Sequence, residues 1–440
     1  MSKKRRKGEP SGRARGPFLG LRRELCRGCT HCIRVCPTEA IRVRKGKAEV
    51  MPHRCIQCGE CIRVCPWEAW AAQADSPSRI RERDGYAWAL LDPAVFGQFG
   101  NLTSPSEVIQ AFGDVGFSSV KEMEEGLGIY GRVVSNFLSS GGVVLPAISS
   151  DCPAVVQLVQ VKFPSLIENL VPIIPPYEIM ASRLKKEVLE NSILTLYYVV
   201  PCLAKAQAAI APLSSQGKFT GAIPLADLYN PLKAALRPKN MGNPLPASGP
   251  NYSFGLQWAF PGGESKALGM QASLIVDGIH QVAGILELAE NGLLGEVPFI
   301  EAWSCPGGCL GGSLNVQNPF WARFHLESWM RSYPSSPERS ACRVNSPEKD
   351  RYRLDQPWTP RAGMRLDEDL KVAMEKLRGI DEVVKKLPGI DCGSCGCPNC
   401  LALAEDVVQG YASEKECVYV LKGMKVNRSK GKERVQRWKR

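Results

Sequence analysis

The sequence predicts an α/β protein with parallel sheets, preceded by a small α+β cysteine-rich unit and followed by a small helical one. Three observations carry this. Across 85–330, apolar strand-like runs alternate with amphipathic stretches, the pattern of strands and helices layered on each other. Before that body, the run C-x2-C-x2-C-x3-C-P occurs twice between Cys26 and Pro66. Behind it, a short helical stretch leads to a last group of cysteines at 392–417.

The elements follow in order. Residues 1–23 and 422–440 each carry nine Lys/Arg against a single Glu, so both ends read as solvated basic tails (domain limits 1–23 and 422–440). A nucleic acid or an acidic partner protein is the alternative use of such charge. Residues 24–75 form the compact cysteine-rich unit. In the body, GGVVLPAIS (141–149), ILTLYYVVP (193–201) and VPFIEAWS (297–304) read as buried strands. The segment 270–292 has apolar residues at helical spacing and stops at Asn291-Gly292. Residues 331–365 are rich in Pro, Ser and charge and read as a linker to the unit at 366–421.

Composition excludes several classes. No run of apolar residues is long enough for a membrane span, and the basic N-terminus has no apolar stretch behind it to make a secretory signal. Eighteen cysteines at metal-type spacings then imply reduced, metal-bound thiolates in the cytosol rather than disulfides. The four histidines (His31, His53, His280, His325) form no HxxxH or HExxH pair, which argues against a histidine-built zinc or iron site. Gly126-Leu-Gly128-Ile-Tyr-Gly131 fits GxGxxG, but VKEMEE precedes it instead of a buried strand, so it is weak evidence for a dinucleotide.

Sixteen cysteines sort into four sets. The tandem run has the two-cluster bacterial ferredoxin spacing, in which the fourth cysteine of each run serves the other cluster. Cys26, Cys29, Cys32 and Cys65 are thereby assigned one 4Fe–4S cluster, and Cys55, Cys58, Cys61 and Cys36 a second; a zinc ribbon is the alternative. At the other end Cys392, Cys395, Cys400 and Cys417 stand at C-x2-C-x4-C-x16-C, which resembles a small single-cluster 4Fe–4S domain. Cys397 is a fifth thiol there, read as a bystander, and Cys342 has no partner set. The fourth set is dispersed: Cys152, Cys202, Cys305 and Cys309 each follow an apolar run, at the sheet edge where ligands collect in parallel α/β folds. The glycines of CPGGCLGG let backbone N–H groups approach the cluster sulfurs.

The segments ISSDCPAVVQLVQVKFPSLIENLVP, VVPCLAKA and FIEAWSCPGGCLGGSLN resemble the catalytic domain of the iron-only, or [FeFe], hydrogenases over roughly 85–330. The resemblance implies a two-lobed fold and an H-cluster, a cubane joined through one cysteine to a diiron unit with CO, CN and azadithiolate. It implies Cys152, Cys202, Cys305 and Cys309 as cubane ligands, with Cys309 bridging to the diiron unit. It further implies Lys205 as donor to a cyanide, and Pro93 and Pro176 near the diiron pocket.

Departures from the family point to its sensory branch. Asp151 stands where catalytic members have a proton-passing cysteine. Glu125 and Arg132 are retained, while Gly128 and Val171 replace an acid and a serine. Val200 and Trp303 replace methionines, and GGSLN replaces the third motif's usual tail. A carboxylic acid with a pKa of about 3.9 holds no proton at neutral pH, whereas a thiol near about 8.5 does. Losing a poised proton carrier costs roughly 10²–10⁴-fold in rate; burial of Asp151 would raise its pKa and restore the relay. The expectation is an iron–sulfur redox protein with four 4Fe–4S clusters that reacts slowly with H2 and protons. The alternative is a non-enzymatic electron-transfer protein that keeps the cubane and lacks the diiron unit, with Val200, Trp303 and Tyr177 filling its space. Lys205 weighs against that alternative, since a buried lysine with nothing to meet is costly. Neither the redox partner nor any signalling partner is named by the sequence.

Overall fold

The computed structural model describes residues 18–80, 86–100, 104–141, 143–187, 194–214, 217–236, 252–332 and 350–424. Cys342 and most of both basic tails lie outside them. Strands β1 (Leu19–Leu21) and β4 (Trp70–Ala72) pair antiparallel, as do β2 (Ile41–Arg44) and β3 (Lys47–Val50). Between them stand two four-residue helices, His31–Arg34 and Glu60–Arg63, one in each cysteine run. The residues before these helices, Thr30 and Gly59, take left-handed backbone at φ 68° and 81°, the tight turn each run needs. Residues 18–23, read as tail, belong to this unit because β1 pairs with β4 and buries Phe18 and Leu19.

The body holds two parallel sheets. One has the order β6-β5-β8-β9, with β5 (Tyr86–Leu91) and β8 (Leu194–Val200) at its centre and β6 (Ser119–Glu122) and β9 (Gly221–Pro224) outside. The other has the order β10-β11-β7, built from β10 (Leu274–Asp277), β11 (Phe299–Trp303) and β7 (Ala147–Ile148). The central strands are apolar along their length, as sheets covered on both faces require. A separate apolar core forms around each sheet, Leu91, Val95, Val199 and Ile223 in one and Ile148, Val155, Val159 and Ile300 in the other. No helix among the described residues is long and apolar enough to cross a membrane.

Three further expectations change. Only Ala147–Ile148 of the segment 141–149 is strand, and Val144 and Leu145 are exposed. The segment 270–292 is not one helix. Leu274–Asp277 pairs with β11, Gly278 turns the chain at φ 83°, and the helix runs Ile279–Glu290. A short apolar run fits both periods, and here the register with β11 decides. Residues 350–365, the later part of the segment read as linker, pack on the body. Tyr352 is buried, Ile174 donates to its carbonyl, and Arg361 donates to Gln157 and to the carbonyls of Pro52, His53 and Cys55. The sequence 366–421 forms a helix Leu370–Lys386 packed on a second, Cys400–Val408.

Candidate metal centres

The two body sheets point the carboxyl ends of β7, β8 and β11 at one place. Cys152 follows β7 and opens the helix Pro153–Lys162, Cys202 follows β8 and opens Leu203–Ile210, and Cys305 lies two residues beyond β11. These three and Cys309 line one small cavity, together with Lys205, Trp303, Ser304 and, from the front unit, Gln57 and Cys58. The loop that carries Cys305 and Cys309 needs glycine: Gly307 and Gly308 take φ 79° and 70°, and a Cβ on Gly308 would press on the backbone of Phe260. Two of its N–H groups do not serve sulfur as expected. Those of Gly308 and Gly312 donate to the carbonyls of Cys305 and Cys309.

Burial pushes up three thiols here, Cys152 to about 11 and Cys202 to about 12, with Cys309 also raised. Neutral buried thiols must lose protons to bind iron, so filling such a site releases protons. No group of three or more His, Cys, Asp or Glu among the described residues is placed to hold a single metal ion. Four thiols spread round a cavity suit a polynuclear cluster instead, and on this donor set a cubane fits.

The lysine expected to donate to a cyanide of the diiron unit already meets a carboxylate. Lys205 Nζ lies 2.8 Å from Asp92 Oδ2, and Tyr198 donates to the same oxygen at 2.7 Å. Asp92 Oδ1 accepts from Ala94 N at 3.0 Å, which caps the turn of 3-10 helix begun by Pro93. Asp92 is fully buried and Lys205 is 5% exposed, so the two opposite charges face each other inside the protein. A buried Lys205 therefore does not require a cyanide to meet it, because a carboxylate 113 residues away does so. Aromatic groups pack next to this pair. Tyr177 stacks on Tyr198 at 5.4 Å, and Tyr198 on Phe219 at 5.2 Å. Trp303 is buried, with Nε1 2.8 Å from Glu301, and Val200 is fully buried. Pro176 opens the helix Pro176–Glu187, and its carbonyl meets Gly126 so closely that a Cβ there would sit 2.6 Å away. The GxGxxG glycines lie inside the helix Glu124–Ser139, not at a strand–helix turn.

Asp151 is buried beside Cys152, with one oxygen lacking any partner among the described residues. Burial raises its pKa, and the Asp92 and Glu301 charges add to this against the pull of Lys205. Glu125 is not in this interior: it is partly exposed and paired with Arg183. The buried acids near Asp151 are ones the sequence reading missed. Ser149 Oγ donates to Glu264 at 2.6 Å and accepts from the Asp151 N–H at 3.3 Å, while Glu301 accepts from Gly262, Ser265 and Trp303. Arg132 has two buried nitrogens without partners among the described residues.

Cys36, Cys55, Cys58 and Cys61 line a second cavity, the crossed grouping expected from the spacing. Cys58 and Gln57 line both cavities, so this set adjoins the dispersed one. Cys26, Cys29 and Cys32 lie near enough for their charges to act on one another, and Cys32 and Cys61 likewise. Sulfur acceptors here do receive N–H groups: Ala40 donates to Cys36, Ala48 to Cys26 and Ala69 to Cys65, at 3.2, 3.4 and 3.3 Å. A ring nitrogen of His31 is 3.1 Å from Cys29 Sγ.

The C-terminal cysteines dock on this front unit. Arg42 grips Asp406 with two nitrogens at 2.7 and 3.0 Å, Arg44 meets the same carboxylate at 2.6 Å, and Arg54 pairs with Glu405. The Val43 N–H donates to Gly396 O at 2.8 Å, and Arg34 to Cys392 O at 3.2 Å. Cys397, read as a bystander, is completely buried in this contact, with Sγ 3.3 Å from Arg44 and 3.5 Å from Asp406. A hydrogen bond from Cys397 and the Arg44 charge bring the Cys395 thiol down to about 6.

Comparison with known proteins gives three matching segments. Residues 19–66 match the family described as 4Fe-4S dicluster domain, 86–220 that described as Iron only hydrogenase large subunit, C-terminal domain, and 387–419 that described as Putative Fe-S cluster. No curated protein matches the chain in sequence. Among solved structures, the hydrogenase HydA(deltaEFG), described for stepwise H-cluster assembly, is 14% identical with a TM-score of 0.48, covering 65% of this chain and 99% of its own. A variant of the hydrogenase HydA1 from Chlamydomonas reinhardtii is 15% identical with a TM-score of 0.44, over 66% of this chain and 97% of its own. At these scores the structural likenesses carry nothing further.

Proposed function

We propose that this chain, an iron–sulfur protein related to the iron-only hydrogenases, is an electron carrier with four 4Fe–4S sites whose dispersed site works without a diiron unit. The observation that carries this reading is the buried ion pair of Lys205 with Asp92. Cys152, Cys202, Cys305 and Cys309 would hold a cubane, which supplies one-electron transfer. The shared wall at Cys58 links this site to the set Cys36, Cys55, Cys58 and Cys61. The set Cys26, Cys29, Cys32 and Cys65 would share the front unit with it, and the set Cys392, Cys395, Cys400 and Cys417, docked on that unit through Arg42, Arg44 and Arg54, would form a branch or exit.

A slow, sensory hydrogen-reacting enzyme is the second reading, favoured by Asp151, whose unpartnered oxygen lies buried beside Cys152. On that reading H2 and protons are the substrates, and Asp151, Lys205 and Cys309 surround the reacting unit. Infrared spectroscopy after incubation of the cluster-loaded protein with a synthetic diiron precursor separates the two. The electron-carrier reading expects no CO or CN stretching bands with the native chain. Protein-bound bands would overturn it in favour of the second.

A further inference from the structure

Cys397, a thiol outside the four sets, sits at the joint between the C-terminal and front units. The loop that carries it suits a cluster. Cys395, Cys400 and Cys417 pack with Ile380, Val383 and Leu387 in one apolar group. Backbone N–H groups are aimed at their sulfurs, those of Gly389 and Asp391 at Cys400 and that of Cys397 at Cys395. Sulfurs that accept N–H groups among apolar side chains are the setting of a 4Fe–4S cluster. The front unit comes very close: Gly396 takes φ 80°, and a Cβ on it would strike the carbonyl of Val43.

Cys397 has no exposed surface and three polar neighbours. Arg44, at the end of β2, donates to its sulfur at 3.3 Å; Asp406 Oδ2 lies 3.5 Å away; and Cys395 is within hydrogen-bond reach. The single thiol proton thus has two acceptors open to it. Asp406 Oδ2 is already supplied, by Arg42 at 2.7 Å and Arg44 at 2.6 Å. A Cys395 thiolate is the acceptor still in need, so the S–H goes to it. Arg42 and Arg44 face two carboxylates, Asp406 and, 3.4 Å from Arg44, Glu416, so net charge nearly cancels at the joint. What acts on the cluster is therefore the directed chain from Arg44 through Cys397 to Cys395. Hydrogen bonds linked head to tail polarise one another.

We infer that Cys397 is a positioning residue for electron transfer: its S–H, polarised by Arg44 across the joint, hydrogen-bonds the Cys395 ligand and raises the reduction potential of the C-terminal cluster while the two units are docked. This rests on reading Cys392, Cys395, Cys400 and Cys417 as a 4Fe–4S site, and holds whatever the dispersed site carries. One electron enters the C-terminal cluster from a front-unit cluster, which is oxidised in turn, and the proton stays on Cys397. A hydrogen bond to a ligand sulfur favours the more negative, reduced cluster. Since docking raises the potential, reduction tightens docking by the same factor.

The test is an EPR-monitored redox titration of the full-length, cluster-containing protein without oxygen, with iron counted in every variant. The C-terminal signal is the one that Cys417→Ala removes. Cys397→Ala and Arg44→Gln should each keep their iron, and at a fixed ambient potential the reduced-to-oxidised ratio of that cluster should fall about five- to tenfold, the loss of one hydrogen bond. At 59 mV per tenfold for one electron this is about 40–60 mV. Cys397→Ser, which keeps a donor, should recover at least half of the shift. Reduction of the native chain should slow hydrogen exchange in Cys400–Val408, and Cys397→Ala should abolish that slowing. Unmoved potentials in both Cys397→Ala and Arg44→Gln would overturn the inference while leaving the cluster reading intact. So would a Cys397→Ser potential equal to that of Cys397→Ala, which would make packing the cause. Loss of the C-terminal signal in Cys397→Ala would make Cys397 a ligand instead. If Cys417→Ala removes neither signal nor iron, the cluster reading itself falls, and the inference with it.

Discussion

Asp92 is the residue on which the reading of the dispersed site turns. Nothing in its neighbourhood along the chain marks it, although Pro93 beside it was singled out. A buried ion pair is strongly destabilised when one partner is removed, by about 3–5 kcal/mol, while replacing both partners with apolar groups is often nearly neutral. Asp92→Ala should therefore lower stability on the order of 3–5 kcal/mol, and Asp92→Ala combined with Lys205→Met should recover most of the loss. Anaerobic denaturant unfolding of the two variants checks this. If the single variant is as stable as the native chain, Lys205 has another partner and the pair is not what holds it. The thiols were legible at this scale because ligands of one compact cluster must be close in sequence when they sit on the same turn. The acids were not. Glu264 and Glu301 look like ordinary surface carboxylates until the fold buries them.

At the scale of elements, strands were read well where they were long and apolar, as with β8, and poorly where they were short. The sequence of β10 fits a helix or a strand, and only its partner β11 fixes which. The segment 350–365 looked like linker because Pro, Ser and charge usually mark exposed chain; Arg361 and Tyr352 anchor it nonetheless. The contact between β2 and the helix Cys400–Val408 is also an element-scale feature that no local pattern announced. Asp406 serves both Arg42 and Arg44, and its carboxylate is almost fully enclosed. Asp406→Asn should loosen the C-terminal unit from the front unit. Hydrogen exchange in Cys400–Val408 should rise, and magnetic coupling between the C-terminal cluster and its neighbours in the reduced protein should fall. Unchanged exchange and coupling would mean that Arg54–Glu405 and the Val43–Gly396 bond suffice for docking.

At the scale of the molecule, the four cysteine sets depend on metal to different degrees. The dispersed set hangs from two sheets with their own apolar cores. The front unit has only four-residue helices and paired two-stranded sheets around its cysteines, too little core to fold alone. Removing iron with a chelator under reducing conditions should abolish hydrogen-exchange protection across 18–75 while β5 and β8 stay protected. Simultaneous loss of both would show that the sheets, too, need their cluster.

The sequence by itself determined the α/β body and the place of the dispersed set at strand ends, and its crossed spacing anticipated Cys36 beside Cys55, Cys58 and Cys61. Those features are local: they follow from spacing within a turn or from the period of apolar residues. Only the tertiary structure decided what faces what. It gave Lys205 to Asp92, moved Glu125 to the surface, brought Glu264 near Asp151, and seated the C-terminal cysteines on Arg42 and Arg44. The physical reason is that burial and pairing of charge join residues 100 or more positions apart. Such energies depend on distance in space, which local sequence pattern does not encode.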